Sequence, residues 1–203
     1  LIEDLALRLA HGMLKKKRTS RSNGRSKGDE SMELHTSRLR LIASPRAWVR
    51  LAVTEFEEFS RLIAAKLSAS WPIDELEAGA PFVWQAMSSS PAEIGWWIWW
   101  IVVEGAEPEA IGYAGFKGPA GADGSVEITY AIDPVARRKG YVSEAVPVLL
   151  AWAFAHSAVQ RVIADTTQMN IASRRVLEKN GFKLIATRQG GEILYFEKRR
   201  GEG

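Results

Sequence analysis

The stretch DPVARRKGYVSEAVP, residues 133–147, sets three cationic side chains, Arg137, Arg138 and Lys139, directly before Gly140, where the pattern turns helical. A helix start carries unpaired backbone N–H groups and a partial positive charge. A glycine there lets the backbone approach a ligand with no Cβ in the way. Together these features make an anion site, and phosphate is a common occupant of such sites. A solvated basic turn, with glycine used for geometry alone, fits the same residues. Neither G-x-x-x-x-G-K-[ST] nor G-x-G-x-x-G occurs in the chain, which argues against a P-loop kinase and a dinucleotide oxidoreductase. There is no cysteine, so disulfides, thiolate nucleophiles and cysteine-ligated zinc are excluded. His11, His35 and His156 have no spacing that suggests a metal site or a catalytic triad, and no metal is expected.

The elements that would position this junction follow from the pattern. SRLRLIA (37–43) alternates as a first strand, and Ser44-Pro45 reads as a helix start, with an N-cap serine and proline at the first helical position. The helix that follows extends toward Leu67 and breaks into two pieces. Residues 68–94, with Pro72, Pro81 and Pro91, read mostly as loop, with a short helix around 74–79 or 82–88. Three strands, GWWIWWIVV (95–103), IGYAGFKG (111–118) and SVEITYAI (125–132), form an antiparallel meander. Then come a helix over 140–157, a strand at RVIADT (161–166), a helix over 171–180 closed by Gly181, and strands FKLIATR (182–188) and ILYFEKR (193–199). This order predicts an α/β (α+β) domain: a mixed, mostly antiparallel central sheet of about seven strands flanked by helices. Trp96, Trp97, Trp99 and Trp100 are expected on both faces of one strand, so both faces should be covered.

With 203 residues, 46% apolar and 25% charged, the chain is long enough for one domain with a full core. Residues 15–28, KKKRTSRSNGRSKG, read as a basic linker behind a short amphipathic helix at 1–14. The division expected is therefore an N-terminal extension, 1–31, and a domain, 32–203. The extension holds 8 Lys/Arg against 4 Asp/Glu, leaving 19 against 20 in the domain. The net charge of +3 thus comes from the extension, which argues against nucleic acid as the domain's partner. The longest apolar run, Trp96–Val103, has eight residues, whereas a membrane span needs about 20. Glu3, Asp4 and Arg8 interrupt any signal-like stretch, so a cytoplasmic location is the expectation.

A second segment, NIASRRVLEKNGF (170–182), lies one strand beyond the first helix. R-x-x-G-x-V (137–142) followed by Ser143-Glu144-Ala145 resembles the acetyl-CoA pyrophosphate loop of the GNAT N-acetyltransferase superfamily. Asn170, Ser173 and the ending Glu178-Lys179-Asn180-Gly181-Phe182 resemble that superfamily's next helix. The combination VEITYAIDP…GYVSEAV…WAF…NIASRRVLEKNGF is similar to the branch that includes ribosomal-protein N-acetyltransferases, and the likeness runs from about Thr36 to Lys198. Three departures stand out: Val142 where the family loop usually ends in Gly or Ala, Pro147 past the first helical turn, and Leu177 where many relatives carry a tyrosine acid. Pro147 should kink or loosen the helix.

The resemblance implies a GNAT-like fold and direct attack of a substrate amine on acetyl-CoA. The cofactor would lie against the strand end Ala131, Ile132 and Asp133, the loop Arg137, Arg138, Lys139, Gly140, Tyr141, Val142 and Ser143, and Asn170, which also suits a helix N-cap. For the base, Glu127 alternates with apolar Val126 and Ile128 beside the cofactor strand; a solvent-facing strand residue fits the same pattern. Glu144 is a second candidate, but the helix dipole alone explains an acid in that turn. For the departing thiolate, Ser173 is the donor, with Tyr130 and Tyr113 behind it. The acceptor would be a small-molecule or peptide amine, and a face of the tryptophan strand with Trp71 and Trp84 could line its cleft. A non-catalytic CoA-binding or sensing protein is the alternative, and an exposed final strand with surplus tryptophan is compatible with a homodimer.

Overall fold

A computed structural model describes residues 32–89 and 94–202. The expected extension 1–31, with its helix, its basic linker and His11, lies outside the described residues. One sheet organises the rest. Its strands are β1 (Glu33–His35), β2 (Leu39–Ala43), β3 (Lys66–Leu67), β4 (Ile98–Val103), β5 (Glu109–Phe116), β6 (Ser125–Ile132), β7 (Arg161–Thr167), β8 (Lys183–Arg188) and β9 (Ile193–Arg199). The spatial order is β1-β2-β4-β5-β6-β7-β9-β8, with β3 beside the start of β5. Nine strands stand where about seven were expected, because β1 and β3, of three and two residues, are too short to show a period. Only β3–β5 and β6–β7 are parallel. The last strand in sequence, β9, is internal, so the sheet edge expected there is instead β8, all six of whose residues are exposed.

The helices are α1 (Arg46–Thr54), α2 (Phe56–Ile63), α3 (Asp74–Ser89), α4 (Tyr141–Ala155) and α5 (Ile171–Lys179). α1 and α2 are the two expected pieces, parted at Glu55, which has extended-side geometry (φ −137°, ψ 69°). Ser44 does not cap α1: its N–H still pairs with the Ile98 carbonyl at 2.8 Å, and Pro45 takes the cap position. The segment expected to be mostly loop contains the 16-residue α3. Pro81 sits inside it on the exposed side, while Leu76, Ala80 and Met87 form the buried stripe. The hydrogen bond that proline removes therefore faces water. Pro147 behaves alike in α4, which runs as one element from Tyr141 to Ala155 with Pro147 exposed and Ala145, Val146, Val148 and Leu149 buried.

Both faces of the sheet are covered, but two of the four clustered tryptophans do it from the turn ahead of the strand. Trp99 and Trp100, both fully buried, point to opposite faces of β4. Trp99 meets Trp152 of α4 edge-on at 5.4 Å, and Trp100 meets Phe59 of α2 at 4.8 Å, with Trp71 stacked on Phe59 beyond. Trp96 precedes the strand and packs on Trp152 at 4.6 Å. Burying aromatic rings in offset and edge contacts gives both large apolar area and fixed geometry, so α4 is anchored by its C-terminal half while its N-terminus stays at the surface.

α5 ends as its sequence suggests. Gly181 takes φ +78°, its N–H bonds the Glu178 carbonyl, and the Phe182 N–H bonds the Leu177 carbonyl at 3.0 Å, which closes the helix. A side chain at Gly181 would hold a left-handed conformation that costs an L-residue about 1–2 kcal/mol. Gly181→Ala is expected to lower Tm by about 2–4 °C per kcal/mol lost, and thermal unfolding of the two proteins side by side checks it.

Candidate active site

β6 and β7 are neighbours for only three residue pairs, Ser125–Arg161, Val126–Val162 and Glu127–Ile163. Past that point β6 continues to Ile132, bonded to β5 on its other side, and β7 continues to Thr167, bonded to β9. The two strands therefore part into a V whose inner edges carry unpaired backbone amides, the kind of edge that an extended amide-bearing chain can join. Ala131, half-buried, and Ile132, buried, lie at the open end of β6. Asp133 turns away from the V. Its N–H bonds the Ile111 carbonyl, and its carboxylate accepts from the N–H groups of Val135 (2.8 Å) and Ser70 (3.1 Å), so it organises the turn over Pro134–Ala136.

That turn leads into the expected anion site. Arg138 has φ +64° and Gly140 φ +82°, so the chain curls twice into the left-handed region before α4 begins. Among the described residues, the backbone N–H groups from Arg138 to Ser143 have no acceptor. Successive free N–H groups around such a curl form a concave anion nest, and the start of α4 adds its dipole. Arg138 and Lys139 are exposed and form no ion pair among the described residues. Arg137 instead bends back to the Ile132 carbonyl (3.3 Å) and toward Glu75 (3.7 Å). Val142 is buried, which lets it stand in the loop without narrowing it. Tyr141 lies under the guanidinium of Arg38, 4.8 Å from its ring centre.

Glu127 sits at the apex of the V, on the side of the sheet opposite to Val126 and Ile128. Its side chain is 28% exposed and forms an ion pair with Lys117, whose ammonium also reaches Asp165 of β7 at 3.4 Å. Burial raises the Glu127 pKa, and the neighbouring Asp165 carboxylate adds to the rise, while Lys117 works against both. The hydrogen bond with Glu127 holds Asp165 below its ordinary value. Burial opposes the charge on Lys117, yet the two carboxylates outweigh it and raise its pKa. Lys117 and Asp165 were not singled out by sequence. The one available signal was positional, since Lys117 lies directly across the β5–β6 ladder from Glu127.

On the other face, Tyr130 crosses from β6 to α5, its Oη 2.9 Å from Ser173 Oγ. Burial raises the Tyr130 pKa, with Ser173 opposing. Asn170 caps α5, its Oδ1 accepting from the Ser173 N–H at 3.0 Å, which leaves its amide nitrogen uncommitted and exposed. Leu177 is fully buried and belongs to the core. Tyr113 is pushed up by burial first and by Glu75 second. Glu144 is tied to the β1–β2 turn rather than aimed at the V. Trp71 gives its indole N–H to the Ala52 carbonyl and packs on Phe59, while the ring of Trp84 is covered by the Arg46 guanidinium at 3.6 Å. His156 packs between Trp96 and Trp152, and His35 pairs with Glu33. No described group of three or more His, Asp or Glu could hold a metal ion, and no described helix is long and apolar enough to cross a membrane.

Known proteins resemble this chain in sequence and fold. The uncharacterized N-acetyltransferase YjdG of Bacillus subtilis is 29% identical over 151 residues, covering 74% of this chain and 89% of the relative. A GNAT-family acetyltransferase structure from Bacillus anthracis superposes with a TM-score of 0.56 at 22% identity, over 83% of this chain and 98% of its own. The alpha-N-protein acetyltransferase RimL, in a complex with coenzyme A, gives a TM-score of 0.57 at 16% identity, over 81% and 95%. At such identities the structural likeness is one of fold. Residues 43–183, more than half of the chain, match the Acetyltransferase (GNAT) domain, and the chain belongs to that family.

Proposed function

We propose that the protein transfers an acetyl group from acetyl-CoA to a primary amine, both substrates being bound together. The observation that carries this reading is the run of free N–H groups from Arg138 to Ser143, opening beside the unpaired edge of β6. The first suits a pyrophosphate and the second the amides of a pantetheine arm, so the residues present fit the cofactor. Acetyl-CoA supplies an acetyl group activated as a thioester. Arg138, Lys139 and the loop N–H groups hold its phosphates, Ala131 and Ile132 align the arm, and the free amide nitrogen of Asn170 can donate to it.

Glu127 takes the proton from the acceptor ammonium, so that the neutral amine can attack. A raised carboxyl pKa makes a stronger base, provided that the working pH stays above it. As the carbon–sulfur bond breaks, the Ser173 hydroxyl, paired with Tyr130, would pass a proton to the departing sulfur and take up in its place the one that nitrogen sheds on becoming an amide. Fixing both groups around one gap replaces a bimolecular encounter by an oriented one. The acceptor's class is a small-molecule or peptide amine, approaching on the Glu127 face. The buried Leu177, at the position where the resemblance implies a tyrosine in many relatives, favours the second reading, a CoA-binding protein without catalysis.

Calorimetric titration of the full chain with acetyl-CoA is expected to give micromolar binding that Gly140→Asp abolishes, since an L-residue strains the left-handed backbone that shapes the nest and the new carboxylate adds negative charge beside it. No binding by the unaltered chain would remove the acetyltransferase reading, and binding without amine-dependent thiol release would select the second one.

The pH profile tests the base. Activity needs ionised Glu127, so kcat/KM should fall as pH drops through its raised pKa. Asp165→Asn removes a like charge and should move this acid limb to lower pH. Lys117→Met removes the counter-charge and should move it to higher pH. A limb that neither substitution moves would assign the base elsewhere.

A further inference from the structure

The first hairpin of the fold reaches across about a hundred residues to the anion nest. Glu144, in the first turn of α4, accepts four hydrogen bonds from one turn between β1 and β2 and forms an ion pair with it. Its Oε1 takes Thr36 Oγ1 (2.5 Å), Ser37 Oγ (3.0 Å) and the Arg38 N–H (3.0 Å), and its Oε2 takes Arg38 Nε (2.7 Å) and Nη2 (2.6 Å). Thr36 Oγ1 also accepts the Leu39 N–H at 2.9 Å, so the turn is internally braced. The guanidinium has a third contact: Nη1 donates to the Lys139 carbonyl at 3.1 Å. Its Nη2 lies beside Gly140, 3.6 Å from where a Cβ would stand.

In a trans peptide the carbonyl and the following N–H point in opposite directions. Binding the Lys139 carbonyl to Arg38 therefore turns the Gly140 N–H away from the hairpin, to the opposite side of the loop. We propose that Arg38 is a positioning residue for the cofactor's phosphates: clamped by Glu144, it fixes the Lys139–Gly140 peptide so that the Gly140 N–H is aimed into the nest before any ligand arrives. Its charge is not the agent, because Glu144 Oε2 neutralises it, lying 2.7 Å from Nε and 2.6 Å from Nη2. Preorganised donors bind better because no ordering cost is left to meet on association.

The inference rests on the acetyl-CoA reading, and one experiment separates the two. Calorimetric titrations of the full chain use CoA and pantetheine, which has the same arm without phosphates, with the unaltered protein, Arg38→Met, and the double variant Arg38→Met with Glu144→Gln, which restores the local charge balance. The expected result is that the preference for CoA over pantetheine falls about tenfold in both variants, the size of one lost charge-assisted hydrogen bond. An unchanged preference in Arg38→Met overturns the positioning role. Recovery in the double variant overturns it too, because charge alone would then explain the loss. Equal losses for both ligands would mean a general effect on the fold and overturn it likewise. Absence of CoA binding by the unaltered protein overturns the functional reading itself, and this inference with it.

Discussion

The arrangement depends on where two parallel strands stop bonding to each other. A buried sheet satisfies its backbone groups by pairing along its length, so an interior gap leaves amides exposed unless something joins them. Here β6 and β7 separate after Glu127 and Ile163, while each remains bonded to its outer neighbour, β5 or β9. The two segments that leave this pair return as helices: α4 follows β6, and α5 follows β7. Both helix starts therefore lie at the open ends of the strands, which is where ligands of α/β sheets bind. The anion nest, the free edge, the apex carboxylate and the Tyr130–Ser173 pair are four consequences of one interrupted ladder.

Much of this was legible from the chain. The bounds of β6 follow from the alternation in SVEITYAI, β9 from the β-branched and aromatic run in ILYFEKR, and Gly181 marks the end of α5. The pattern shows α3 only as a short helix at 74–79 or 82–88, because prolines read as breaks. Yet Leu76, Ala80 and Met87 recur at helical spacing, and Pro81 falls off their stripe, so its missing hydrogen bond faces solvent. The same geometry keeps α4 whole through Pro147. Trp96 and Trp97 looked like strand residues because indoles on consecutive positions resemble a strand covered on both faces, whereas they bury themselves from the preceding turn.

The site was legible in proportion to its locality. Gly140, Arg138 and Lys139 form one contiguous motif, and backbone curl follows from that motif. Arg38 and Lys117 carry no such mark. Each is an ordinary cation in an ordinary strand-edge sequence, and its role arises only when Glu144 or Glu127 is brought to it from another part of the chain. Charge bookkeeping also hid them. The near-neutral balance of residues 32–203 conceals a local separation, with free cations at the helix start and paired ones deeper in the sheet.

The indoles have an optical consequence. Six of the eight tryptophans, at 48, 96, 97, 99, 100 and 152, are buried, and the ring of Trp84 is capped by Arg46. None belongs to the anion nest or the strand gap. The intrinsic emission of the folded protein should therefore be blue and dominated by close-lying rings that exchange excitation, such as Trp96, Trp99 and Trp152. It would register loss of the core sharply and remain nearly silent to a ligand that touches only the start of α4.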